Sequence, residues 1–297
     1  MNSIFSISPP RLQKILHPTF EEKKLNAWFL RLDEIHPTVN GNKWFKLKYN
    51  LEHVLQQGYE GILTFGGQFS NHIYAIAAAA KMAKVKCVGI IGGANPQVLT
   101  HTLRFALQQD MHLEFVAKNV YRKKDEPEFV SQLQRSFPRF FVIPEGGTNE
   151  WAIKGAAEIT SFISIPFDYI ITACATGGTL AGLAQSLRPF QKAVGISVLK
   201  GENTISGKVS KFIHGTKNFD VITGYDFGGY AKYTPSLIKF MKCFYQENGI
   251  PLEQVYTAKM VAGTIDMAQR NYFKTSSTLV LVHTGGMQGL DTSIAPF

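Results

Sequence analysis

Residues 167–187 read FDYIITACATGGTLAGLAQSL: an apolar run, a glycine turn, then a helical pattern of small and apolar residues. The same unit recurs along the chain. GILTFGG (61–67) precedes the alanine-rich SNHIYAIAAAAKMAKV, and KCVGIIGG (86–93) precedes the helical PQVLTHTLRFALQQD. HLEFVA (112–117) and FFVIPEGG (140–147) continue the series. A helix then opens at Asn149, with Glu150 in its first turn, where a side-chain oxygen caps free N–H groups and a negative charge meets the helix dipole. AVGISVL (193–199) and TLVLVHTGG (278–286) are the late strands. Strands alternating with helices demand open, mainly parallel α/β sheets with helices on both faces. No internal repeat or low-complexity linker interrupts the pattern.

Composition bounds what such a fold does. A chain of 297 residues with 45% hydrophobic and 18% charged content buries a large core and is not disordered. A formal net charge of +9 raises nucleic acid or a small anion as partner. The densest basic run, YRKKDEPE (121–128), carries its own acids and reads as a solvated loop. No RNP-like aromatic strand, zinc finger or basic heptad is present, so no nucleic-acid partner is expected. Cys87, Cys174 and Cys243 are odd in number and widely spaced, which points away from a disulfide framework and toward a reducing, cytoplasmic setting. No C-x-x-C or H-E-x-x-H spacing marks a metal site, and no apolar run is long enough to suggest a membrane partner.

Open α/β sheets bind ligands where strands end and loops turn into helices. Four strand ends carry small or polar residues: FGGQFSN, PEGGTN, CATGGT and HTGGMQG. Each alone is a tight turn; together they favour a cleft lined by backbone amides. ATGGTLAG (175–182) is the strongest, since free N–H groups and the helix dipole at a helix start bind phosphate. It lacks the spacing of dinucleotide and triphosphate loops, so one monophosphate fits better.

VNGNKWFKLKYN (39–50) holds Lys43, Lys46 and Lys48 without a single acid. In a helix starting near Asn42, Lys43 and Lys46 lie one turn apart, about 5–6 Å between β-carbons, and Lys48 points elsewhere. An apolar setting or a second cation depresses a lysine pKa and makes it a nucleophile; Trp44, Phe45 and Lys46 offer both. A lysine and a monophosphate cradle are what pyridoxal phosphate requires, although a basic helix face remains an alternative for this stretch. In GGQFSNH (66–72), Ser70 and Asn71 suit a carboxylate or a helix cap, and His72 alone reads as a structural histidine.

The ordered set GNKWFKLKYNL, GGQFSNH, ATGGTLAGL, FGGYAKYTPSL, GIPLEQVYTAKMVAG and HTGG resembles the ACC deaminase/D-cysteine desulfhydrase family over about residues 25–290. That family uses pyridoxal phosphate on the tryptophan-synthase-β-like fold, fold type II. The resemblance implies that Lys43 carries the cofactor covalently. It implies that Lys46 contacts the phosphate with Cys174, Ala175, Thr176, Gly177, Gly178 and Thr179, that Asn71 bonds the cofactor and that Thr284 lies against it. Ser70, Asn71 and His72 would receive the substrate carboxylate, Tyr256 and Tyr230 match the two active-site tyrosines, and Ser70 joins the catalytic set.

Within that family, ACC deaminases carry glutamate after the second tyrosine, leucine in H-x-G-G and the triplet Ser-Asn-Gln. Thr257, Thr284 and His72 stand there in this chain and resemble the D-cysteine desulfhydrase branch. Threonine leaves the ring nitrogen nearly neutral, a weaker electron sink that suits β-elimination of D-cysteine to pyruvate, sulfide and ammonia. The alternatives are ACC deamination to 2-oxobutanoate and ammonia, and a non-catalytic protein binding an amino acid or the cofactor. A homodimer is implied. The expected domains are a large one of 1–51 and 148–297 and an inserted small one of 52–147, with the cofactor between them.

Overall fold

Ten strands among the described residues form two sheets in the computed structural model, which describes residues 6–201, 204–213, 218–291 and 293–295. The strands are β1 (Leu12–Lys14), β2 (Asn26–Leu30), β3 (Gly61–Gly66), β4 (Lys86–Gly92), β5 (Met111–Val116), β6 (Phe140–Ile143), β7 (Tyr169–Cys174), β8 (Lys192–Ser197), β9 (Phe219–Ile222) and β10 (Thr278–Val282). One sheet has the order β1-β2-β10-β7-β8-β9, and only its β1–β2 pair is antiparallel. The other has the order β5-β4-β3-β6 and is parallel throughout. This is the mainly parallel α/β architecture that the strand–helix alternation demands.

Central strands explain their own composition. Every residue of β3 and of β7 is buried, so both are apolar without alternation, as helix-covered parallel strands must be. Edge strands β5 and β9 are only partly buried and carry charges. Phe29, Ile171, Val194, Met241, Phe244, Val261 and Leu281 belong to the core against the six-stranded sheet. Leu63, Phe65, Val88 and Ile90 form a smaller core on the other sheet. Each such side chain contributes roughly 1.5–3 kcal/mol by leaving water.

The chain divides into two compact units. One takes in residues 37–39 and 43–155 with the four-stranded sheet; the other takes in 8–36, 40–42 and 156–297 with the six-stranded sheet. The sequence-based boundaries at 51/52 and 147/148 therefore move. The lysine helix, Asn42–Gln56, goes from Lys43 onward with the smaller sheet. Its contacts give the reason. Asn50 and Asn149 exchange side-chain bonds at 2.7 and 3.2 Å, and Lys46 Nζ reaches Gly146 O and Thr148 Oγ1. The Phe45 carbonyl lies 1.9 Å from where a Gly155 β-carbon would be, an approach that only glycine permits. No helix among the described residues is long and apolar enough to cross a membrane.

Candidate active site

The smaller-sheet unit carries the amines. Lys43 occupies the first turn of the lysine helix, followed by Trp44 and Phe45, which are buried. Desolvation alone brings the Lys43 pKa from its ordinary 10.5 down to about 8. At pH 7.5 that leaves roughly a quarter of the amine neutral, against about a thousandth for an exposed lysine. Lys46, one turn on, is 1% exposed, and its Nζ donates to Gly146 O at 2.5 Å and Thr148 Oγ1 at 2.9 Å. Two of its three donors thus go to protein oxygens. Lys48 lies against the Trp44 and Tyr49 rings and joins neither.

Ser70 caps the helix Asn71–Ala83, its Oγ accepting from His72 N at 3.2 Å and Ile73 N at 3.3 Å. The cap reading and the site reading thus apply to the same residue, and the serine keeps its own hydroxyl proton. The expectation that His72 receives a carboxylate meets a different arrangement. Its N–H is occupied by Ser70, and its ring, 2% exposed, turns inward to Thr64. Thr64 Oγ1 donates its one proton to Ile143 O at 2.8 Å, so imidazole Nε2, also at 2.8 Å, must be the donor to that oxygen. His72 Nδ1 is then a bare acceptor, buried and without a partner among the described residues. Burial first, then the Lys43 and Lys46 charges, holds this imidazole well below its ordinary pKa of 6.5, so it is neutral.

The six-stranded unit carries the glycine turn. Cys174 closes β7 and is buried, its carbonyl accepting from Val198 N at 3.1 Å, so it belongs to the strand and not to the turn. Residues 175–177 make the bend, and the helix Gly178–Gln185 starts without a side-chain cap. Its first N–H groups have no intrahelical acceptor. Gly177 has φ +85°, and a β-carbon there would stand 2.7 Å from Val209 Cγ2. Thr179 Oγ1 accepts from Asn42 Nδ2 at 2.7 Å, which ties Asn42 to the first turn of this helix. Asn42, tied to this helix start, immediately precedes Lys43 in the chain. Thr284, in the loop after β10, is half-buried.

Tyr256 stands at the start of the helix Thr257–Gln269, and its hydroxyl donates to that of Tyr230 at 3.3 Å, with the rings edge-on. Thr257 is fully buried; its Oγ1 accepts from Glu253 N at 2.8 Å and donates to Glu253 O at 3.3 Å. Glu253 accepts from the N–H groups of Val255, Tyr256 and Thr257 at 2.6–2.7 Å. Asn42, Thr64, Glu253 and Lys259 are positioned here without having been picked out from the sequence. The signals present were a lone lysine in the apolar AKMVAG and a glutamate four residues before Thr257.

The family model described as "Pyridoxal-phosphate dependent enzyme" matches residues 13–285. A Thermotoga maritima protein named "Putative 1-aminocyclopropane-1-carboxylate deaminase" is 30% identical, with 96% of each chain covered. A protein of the same name from Pyrococcus horikoshii is 26% identical, covering 84% of this chain and 81% of that protein. Among solved structures, an ACC deaminase homologue superposes with a TM-score of 0.84 at 24% identity, covering 96% of this chain and 91% of the other. An O-ureido-L-serine synthase has a TM-score of 0.69 at 14% identity, covering 99% and 95%. At these identities the structures establish the fold.

Proposed function

This chain belongs to the family of pyridoxal-phosphate-dependent enzymes, and we propose that it is a lyase converting a small amino acid and water into a 2-oxo acid and ammonia. The residues fit the cofactor. A lysine with a depressed pKa supplies the amine, and an uncapped helix start at Gly178, reached through the left-handed Gly177 that packs against Val209, suits one phosphate. In this reading Lys43 is the attachment point and Ala175, Thr176, Gly177, Gly178 and Thr179 hold the phosphate. Lys46 supports that charge while tied to Gly146 and Thr148, Asn71 bonds the ring oxygen and Thr284 faces the ring. The carrying observation is the Asn42–Thr179 bond, since it anchors the residue before the amine on the phosphate turn.

Bound pyridoxal phosphate supplies an electron-accepting ring that stabilises negative charge on the carbon bearing the amino group. Lys43 Nζ, partly neutral near pH 7.5, takes the α-proton. The hydroxyls of Tyr256 and Tyr230, already in contact, assist proton movement around the substrate. Ser70, with its cap proton uncommitted, donates to the substrate carboxylate beside Asn71.

Two substrates are favoured by different observations. The relatives' names support 1-aminocyclopropane-1-carboxylate better than they support D-cysteine. Thr257 favours β-elimination, because the position after Tyr256 holds no carboxylate and its hydroxyl is spent on the Glu253 backbone. This geometric reading takes D-cysteine as the substrate: its Cα–H and Cβ–S bonds break, and with water it yields pyruvate, sulfide and ammonia. The test is one assay of the cofactor-loaded protein with both amino acids. Pyruvate and sulfide from D-cysteine support the geometric reading; 2-oxobutanoate from 1-aminocyclopropane-1-carboxylate alone replaces it. No 2-oxo acid from either refutes both. A homodimer, checked by light scattering, and a cytoplasmic setting belong to the same proposal.

A further inference from the structure

Lys259 is fully buried, and among the described residues its ammonium forms no ion pair with a carboxylate. It donates instead to two backbone carbonyls, Asp226 O at 2.7 Å and Gly229 O at 2.8 Å. Those carbonyls open two successive turns: Asp226 O also accepts from Gly229 N at 3.0 Å, and Gly229 O from Lys232 N at 3.1 Å. Asp226 Oδ1 adds a bond from Gly228 N at 2.9 Å. Tyr230 lies in the second turn. The segment is unfavourable by itself, because Phe227 (φ +48°) and Ala231 (φ +56°) are left-handed without being glycine, alongside Gly228 and Gly229 at +101° and +116°. Each non-glycine residue so held costs on the order of 1–3 kcal/mol and persists only where its surroundings fix it. The two charge-assisted bonds from Lys259 supply that constraint at about the same magnitude.

A buried ammonium adds little stability over an apolar side chain of equal volume. The Lys259 charge is nevertheless kept inside, near Glu253, which is 1% exposed and whose carboxylate collects the N–H groups of Val255, Tyr256 and Thr257. The two charges thus act on the two tyrosines: Glu253 fixes the backbone of Tyr256, and Lys259 fixes the turns that carry Tyr230. The phenols meet at 3.3 Å. We infer that Lys259 is a positioning residue, which holds Tyr230 against Tyr256 through the carbonyls of Asp226 and Gly229. Its consequence for turnover rests on the reading of these tyrosines as substrate-facing; the structural part does not.

The experiment uses cofactor-loaded protein containing 3-fluorotyrosine, with the Tyr230 fluorine resonance assigned through Tyr230→Phe. Lys259→Met is expected to shift that resonance toward free fluorotyrosine, while far-UV circular dichroism stays unchanged, and Lys259→Arg to restore it. In steady state Lys259→Met is expected to lower kcat about 10–100-fold with KM within about threefold, the range set by a displacement near 1 Å. An unshifted Tyr230 resonance in folded Lys259→Met overturns the inference, and so does an equal loss in Lys259→Arg. If Lys259→Met does not fold, Lys259→Gln is read by the same resonance: a shift supports the role, and a wild-type position overturns it. Wild-type protein that forms no 2-oxo acid refutes the proposed function, and the fluorine spectrum still decides the place of Lys259.

Discussion

Replacing Thr64 by valine tests the arrangement around His72 with little change of shape. Thr64 is fully buried in β3, its hydroxyl donating to Ile143 O and accepting from His72 Nε2, each at 2.8 Å. Valine fills nearly the same volume, so no cavity contributes. What is lost is the donor to a carbonyl and the acceptor for an imidazole N–H. Each buried group left without a partner costs about 1–3 kcal/mol, so Thr64→Val is expected to destabilise the protein by about 2–6 kcal/mol. The same change frees the imidazole to move its proton to Nδ1, because Oγ1 is what holds it on Nε2. Urea unfolding followed by tryptophan fluorescence reads the first effect, and spectra of protein labelled with 15N-histidine read the second. Wild type is expected to show the Nε2–H form for His72. A wild-type Nδ1–H tautomer, or a Thr64→Val midpoint within about 0.5 kcal/mol of wild type, a shift typical of neutral surface changes, would refute the reasoning.

Four further outcomes follow from the charges and the turn. Amine modification mapped to Lys43 should be half-maximal near pH 8; a midpoint near 10.5 would contradict the desolvated setting. The unfolded chain binds the extra proton between pH 8 and 10.5, so stability should rise with pH across that window, and Lys43→Met should remove the rise. Burial pushes Glu253 up from 4.5 to about 7 against the opposing N–H groups and Lys259, so its contribution has the other sign. It is full below pH 4.5 and lost as the pH climbs through 7, and Glu253→Gln should flatten that part of a stability–pH curve. Gly177→Ala places a β-carbon 2.7 Å from Val209 Cγ2 at φ +85°. The strain of about 1–2 kcal/mol should appear as lost stability, and the shift of the turn that relieves the Val209 contact should weaken pyridoxal phosphate binding about tenfold in a titration; unchanged affinity would count against the phosphate turn.

The strands legible in the sequence were those with uninterrupted apolar runs, chiefly β3, β4, β7, β8 and β10. Leu12–Lys14 and Phe219–Ile222 escaped because short, half-buried edge strands carry little periodicity, and Asn26–Leu30 escaped for want of turn residues around it. Lys43 and Lys46 were separable from Lys48 by helix geometry, whereas ranking Lys43 above Lys46 needed the family resemblance; the structure adds a desolvated Lys43 and a Lys46 bonded to Gly146 and Thr148. No local signal shows that the lysine helix packs with the smaller sheet. That choice rests on Asn50 meeting Asn149, far along the chain. The inward turn of His72 was equally hidden, since it depends on the one Thr64 hydroxyl serving both His72 Nε2 and the Ile143 carbonyl.

The identity of Lys43 as the amine that takes the cofactor is tested most directly by covalent mapping. Protein incubated with pyridoxal phosphate is reduced with borohydride, digested and analysed by peptide mass spectrometry. Phosphopyridoxyl label on Lys43, absent from Lys43→Ala, is the expected result. Label on Lys46 or Lys48 instead, or wild-type protein left unlabelled, would contradict it.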